Sequence, residues 1–133
     1  MKLVEGFFVL IALSSLFACD NQKEPSKEQA VIVRFTYGST DLNALHALEK
    51  ELEQILTSKS LGEYDGNSLS KDGEKDVLYL YGPDARQIFD AVKFILVKQP
   101  FMDGAEVTVQ YGPADDEEQQ EIFILKYTRG RTQ

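Results

Sequence analysis

An α+β domain is predicted, because runs of β-branched and aromatic residues alternate along the chain with two stretches whose leucines and isoleucines recur at helical spacing. Glycine, proline and an Asp-Gly step fall between these runs, where the chain must turn. The order in which the runs occur then selects the arrangement.

Ala30-Val31-Ile32-Val33-Arg34-Phe35-Thr36-Tyr37 reads as a first strand, closed by Gly38. From Asp41 to Leu56 the residues Leu42, Leu45, Leu48, Leu52, Ile55 and Leu56 make one apolar stripe, with Glu49, Lys50, Glu51 and Glu53 on the other side. Thr40 or Asp41 would cap this amphipathic helix, since each offers a side-chain oxygen to its first free N–H groups. A weaker strand follows over Gly62 to Leu69, which carries two glycines and few apolar residues. Asp72-Gly73 supplies a turn into the strong strand Val77-Leu78-Tyr79-Leu80-Tyr81, so the pair reads as a hairpin.

Pro83 suits the first position of a second helix, and Asp84 with Gln87 offers an alternative capping box. Its buried stripe is Ile88, Phe89, Val92, Ile95 and Leu96, and Gln99-Pro100 ends it. Ala105 to Tyr111 alternates as a fourth strand before Gly112-Pro113, and Glu121 to Tyr127 is a fifth. The order is β-α-β-β-α-β with an additional C-terminal strand, the ferredoxin-like split pattern. Tyr37-Gly38 and Tyr81-Gly82 echo one another, each closing a strand shortly before a helix, as two related β-α units would.

Ahead of this single domain, expected over residues 30–133, lie segments of another kind. Lys2 precedes an uncharged apolar run from Phe7 to Phe17, the length of a secretory leader and too short to span a bilayer, which takes about 20 apolar residues. Leu16-Phe17-Ala18-Cys19 resembles the lipobox of bacterial lipoproteins, in which a peptidase cuts before a cysteine already carrying diacylglycerol. The resemblance implies that residues 1–18 are a signal peptide, that Cys19 is lipidated, and that the protein is held on a membrane of the cell envelope. Phe17 is bulkier than the usual occupant, and Glu5 dilutes the positive start. Asp20 resembles the residue that retains lipoproteins in the inner membrane of enteric bacteria, which in a Gram-negative source would leave the domain facing the periplasm. Residues 19–29 are polar and without aromatics, as a flexible tether would be.

Cys19 is the one cysteine of the 133 residues, so no internal disulfide forms and stability rests on an ordinary core. The net charge is −8. A domain this acidic is repelled by phosphates and anionic head groups, which argues against nucleic acid as a partner and leaves membrane attachment to the lipid.

Nucleophilic catalysis needs a base beside the nucleophile, and the one histidine, His46, falls at the edge of the first helix's apolar stripe, where a boundary or surface role is expected. Too few His and Cys are available for zinc. Asp115-Asp116-Glu117-Glu118 lacks the ligand spacing of a calcium loop and reads as a solvated connection. Glu63, Asp65 and Asp72 are the carboxylates available for acid–base work. No cofactor is expected.

Alternation places Val31, Val33, Phe35 and Tyr37 on one face of the sheet and Ile32, Arg34 and Thr36 on the other. If Leu78 and Leu80 join the first set, Val77, Tyr79 and Tyr81 lie with Arg34 on the open face. That layout resembles the aromatic sheet of RNA-binding domains, but the negative charge points instead to a protein partner or a second copy of the chain.

Gly62-Glu63-Tyr64-Asp65-Gly66, Leu78 to Ala85, Phe101 to Val107 and Tyr111-Gly112-Pro113 together resemble a family of small uncharacterised bacterial proteins, over roughly the second half of the mature chain. The resemblance implies one compact shared fold and brings no activity with it. The lipobox departs from such relatives, many of which would be cytosolic. The expected function is a membrane-anchored, non-enzymatic interaction or accessory module of the envelope, with Arg34, Tyr79 and Tyr81 as candidate partner-binding residues. A self-associating structural lipoprotein and an envelope enzyme using carboxylates are the alternatives.

Overall fold

The computed structural model describes residues 29–112 and 119–130. The expected leader, Cys19, Asp20, most of the expected tether and the acidic run 115–118 lie outside the described residues.

The described residues are α+β, with five strands and two α-helices in the order β1 (Gln29–Phe35), α1 (Asn43–Ser58), β2 (Glu63–Ser68), β3 (Asp76–Gly82), α2 (Ala85–Leu96), β4 (Glu106–Gln110) and β5 (Gln120–Ile124). A one-turn 3-10 helix, Pro100–Met102, links α2 to β4. The strands form one antiparallel sheet in the order β2-β3-β1-β4-β5. β1 is its centre, with β3 on one side and β4 on the other.

Burial follows the two-residue period. Val31, Val33 and Phe35 of β1, Leu78 and Leu80 of β3, and Val107 and Val109 of β4 join Leu45, Leu48, Leu52 and Leu56 of α1 and Ile88, Phe89, Val92, Ile95 and Leu96 of α2 in one core. Both helices therefore cover the same face. Each fully buried leucine stabilises the fold by about 1.5–3 kcal/mol relative to exposure.

Helix starts differ in detail from the expected ones. α1 begins at Asn43, whose N–H donates to Asp41 Oδ1 (3.0 Å), so Asp41 serves the first turn from one residue ahead of the capping position. In α2 the Asp84 alternative is the one adopted: its Oδ1 accepts from the N–H groups of Arg86 and Gln87, both at 3.1 Å, and Pro83 lies before the cap.

β1 stops at Phe35, two residues short of the expected end, because the N–H of Tyr37 donates to Asp76 Oδ2 (3.0 Å) instead of to a neighbouring strand. The same carboxylate takes the Ser70 N–H on Oδ1 at 2.8 Å and the Ser70 hydroxyl at 3.3 Å. Asp76 is only 1 % exposed and ties the β1–α1 connection to the β2–β3 loop. The Tyr-Gly echo separates here. A side chain on Gly38, at φ +66° beyond β1, would meet nothing within 4 Å, whereas Gly82 is the last residue of β3 and lies so close to Leu61 O that a side chain would collide with it.

β2 buries little beyond Tyr64 and is tied to α1 by polar links. Asp65 is the extra residue where the register shifts between Tyr64 and Gly66, a bulge that Gly66 accommodates at φ +107°. Glu49 of α1 accepts from the Tyr64 hydroxyl (2.9 Å) and the Asn67 amide (3.0 Å). At the other end of the chain, β5 ends at Ile124; Leu125 keeps its register opposite Ala105, and the residues after it bond to other elements instead. The Leu125 N–H donates to Ala105 O, that of Tyr127 to Asp103 Oδ1, and that of Thr128 to Val97 O.

Two expectations follow. Asp76→Ala leaves two sheltered backbone donors without an acceptor and is expected to lower stability by about 3 kcal/mol in urea unfolding. Tyr64 has its hydroxyl pKa pushed well above the ordinary 10.0, first by burial and then by the Glu49 carboxylate. The folded state thus holds this proton more tightly than the unfolded chain, so its contribution to stability is intact below the ordinary value and is lost as pH rises above it. Urea midpoints between about pH 8 and 11 should fall more steeply for the wild type than for Tyr64→Phe.

Candidate functional site

The face turned away from the helices is ordered by the ladder, because residues directly opposite across an antiparallel pair share a side of the sheet. One row runs Gly66, Tyr79, Ile32, Thr108, Ile122, and the next runs Ser68, Val77, Arg34, Glu106, Ile124. A third runs Glu63, Tyr81, Ala30, Gln110, Gln120. Arg34, Tyr79 and Tyr81 are thus brought to one face, as the alternation of the sequence implies. Tyr79 and Tyr81 are half-buried, flanked by Ile32 and Ala30.

The centre of this face is more polar than its flanks. Thr108 and Gln110 are 5 % and 7 % exposed. Arg34 Nη1 donates to Thr108 Oγ1 at 3.1 Å and lies 3.5 Å from Glu106 Oε1. Its side chain is half exposed, so solvent screens the ion pair. Below Arg34 opens a cleft of about 430 Å³ lined by Lys75, Glu74, Asp103 and Glu106 among others. Acids outnumber bases in that lining, so the cleft does not suit an anion, and Glu106 already neutralises Arg34.

The groups that could drive chemistry lie elsewhere. His46 is exposed on α1, on the helix side of the sheet. Asp72 is committed to its turn, where Oδ1 accepts from the Glu74 N–H (3.0 Å) and the Ser70 hydroxyl (2.8 Å). These bonds, the Glu74 N–H foremost, hold its carboxyl below the usual range. Glu63 and Asp65 are exposed along β2. Among the described residues no group of three or more His, Cys, Asp or Glu could hold a metal ion.

Sequence reasoning missed two features. Ile122 and Ile124 of β5 stand on the open face at 57 % and 66 % exposure. Their alternation about Phe123 was the available signal, since Phe123 stacks on Phe89 of α2 at 4.7 Å and so fixes the phase of the strand. The second is a clamp on the helix side of β5. Tyr111 Oη donates to Glu121 Oε1 (2.5 Å), Arg86 Nη1 lies 3.6 Å from the same oxygen and Arg86 Nε 3.3 Å from Asp90. The guanidinium also stands 5.5 Å from the centre of the Phe123 ring. Hydrogen bonding with Tyr111, then the charge of Asp90, raise the pKa of Arg86, and burial with the Glu121 bond raises that of Tyr111.

No known protein family, curated protein or solved structure matches the chain.

Arg34→Met keeps the apolar stem in the sheet while removing the contacts to Thr108 and Glu106. Because the Glu106 pair is screened and the Thr108 contact is a single hydrogen bond, stability in urea should fall by no more than about 1 kcal/mol.

Proposed function

We propose that this protein is a lipid-anchored, non-enzymatic interaction module of the bacterial cell envelope, which presents the open face of its sheet to a protein partner. The observation that carries the reading is the placement of Tyr79 and Tyr81 beside Ile32, Val77 and Ala30 on the face that the helices leave uncovered. Half-buried tyrosines combine a large apolar body with a hydroxyl, and such side chains supply much of the affinity where proteins meet. Arg34 at the margin adds a charged donor for register, and the acidic surroundings favour a partner that is neutral or basic where it docks.

The strand order β2-β3-β1-β4 supports reading the domain as a ferredoxin-like split β-α-β-β-α-β fold, with β5 added beside β4. The anchor rests on Leu16-Phe17-Ala18-Cys19 and the polar segment behind it. Several acyl chains hold a protein on a bilayer where one binds only marginally. Asp20 supports retention in the inner membrane, with the domain in the periplasm, if the source is Gram-negative.

Two measurements test this. The intact mass of the membrane-extracted protein should show Cys19 as the first residue, with added diacylglycerol and fatty acid; an unmodified Cys19 would remove the anchor. Photo-crosslinking from position 32 in intact membranes should trap a partner, and Tyr79→Ala/Tyr81→Ala should abolish the adduct, a loss of about 2 kcal/mol or more per anchor residue. If the chain traps nothing but itself and the double substitution has no effect on the phenotype, the reading fails.

A further inference from the structure

We propose that β5 is the edge through which two copies of this chain pair, antiparallel, about a two-fold axis passing beside Phe123. β5 and β2 are the two edges of the sheet among the described residues, and they are built differently. β2 carries the bulge at Asp65, and pairing it with itself would bring its own carboxylates Glu63 and Asp65 together. Bulges and like charges are the usual means of keeping an edge unpaired. β5 has a regular register along its whole length.

The direction of its backbone groups follows from its neighbour. The Tyr111 N–H donates to Gln119 O and the Leu125 N–H to Ala105 O, so odd-numbered residues of this segment bond inward to β4. Those of Gln120, Ile122 and Ile124 therefore point to the outer edge.

The edge is self-complementary in the register that places Phe123 against Phe123 of the second copy. Ile122 then faces Ile124 of the second copy, and each of these pairs can exchange two main-chain hydrogen bonds. On the open face the four isoleucines form one apolar cluster of two adjacent cross-strand pairs, covering side chains that are 57 % and 66 % exposed in the single chain. Charge agrees with this register. Glu121 meets Leu125 and Lys126 meets Gln120, so no like charges oppose, and the segment from Gln120 to Lys126 is neutral in a chain of net charge −8. Confinement to a membrane would raise the effective concentration of the two copies.

The pairing deepens the reading above, since it sets two tyrosine faces side by side on one continuous sheet. Sedimentation of the full chain in density-matched detergent should show a reversible monomer–dimer equilibrium at concentrations up to about 0.1 mM. Ile122→Lys/Ile124→Lys should be monomeric throughout, and Ile124→Thr, which keeps a β-branched side chain in the strand, should weaken dimerisation at least tenfold. Glu63→Lys, on the opposite edge, should leave it unchanged. A wild-type chain that stays monomeric overturns the proposal. So does a dimer that survives in both β5 variants, or one that Glu63→Lys disrupts. Tyr79→Ala/Tyr81→Ala should dimerise like the wild type, so a loss of partner capture in that variant is read separately from a loss of pairing.

Discussion

The carboxylate of Asp76 is a small group on which the geometry of one end of the molecule depends. A carboxyl side chain almost wholly removed from water is tolerable only when it is fully hydrogen-bonded, and here the donors are the N–H groups of Tyr37 and Ser70 and the Ser70 hydroxyl. Those donors belong to the connection leaving β1 and to the loop that joins β2 to β3. One side chain therefore ends the central strand, turns the chain toward α1 and orients the hairpin. The Arg34 cleft is walled by residues on either side of this junction, so its shape is set by the same contact.

The remaining stability is divided unequally between the two faces. The helix side is a continuous apolar layer, as a chain without disulfides requires. The sheet edges cannot contribute much to that layer, and each is fastened by a polar device instead. Glu49 gathers Tyr64 and Asn67 to hold β2, and the Arg86–Glu121–Tyr111 clamp holds the start of β5 while Phe123 stacks on Phe89. The open face is left with a tyrosine pair near one edge, isoleucines at the other and a polar strip between them. That division gives the face two regions of different character rather than one uniform surface.

Much of the fold was legible because its signals are local. The leucine stripes of α1 and α2 and the alternation of Val31, Val33 and Phe35 against Arg34 need no tertiary information, and they place Tyr79, Tyr81 and Arg34 on one face. Strand ends were less legible, since they are set by partners distant in sequence. β1 stops where Asp76 captures Tyr37, and β5 stops where the chain turns to meet the 3-10 helix and the end of α2. The two Tyr-Gly steps look alike as text, yet only Gly82 is required by a close crossing of backbone. The clamp on β5 was invisible for the same reason, since Arg86, Tyr111 and Glu121 come from three separate elements. The expected leader and the expected lipidation of Cys19 rest on the sequence alone.

Gln29, the first described residue, is at once the first residue of the central strand and, through its side-chain oxygen, the acceptor of the Ala85 N–H at the start of α2. Any pull transmitted along the preceding segment is thus delivered to a strand flanked on both sides. Drawing β1 out along its own axis would shear both ladders at once instead of peeling them one bond at a time, and would first have to tear Gln29 from α2. A domain threaded in this way resists mechanical extraction at the very point where it is joined to whatever lies upstream, while its last described residues, leaving past the edge strand, can be tugged without loading the centre of the sheet.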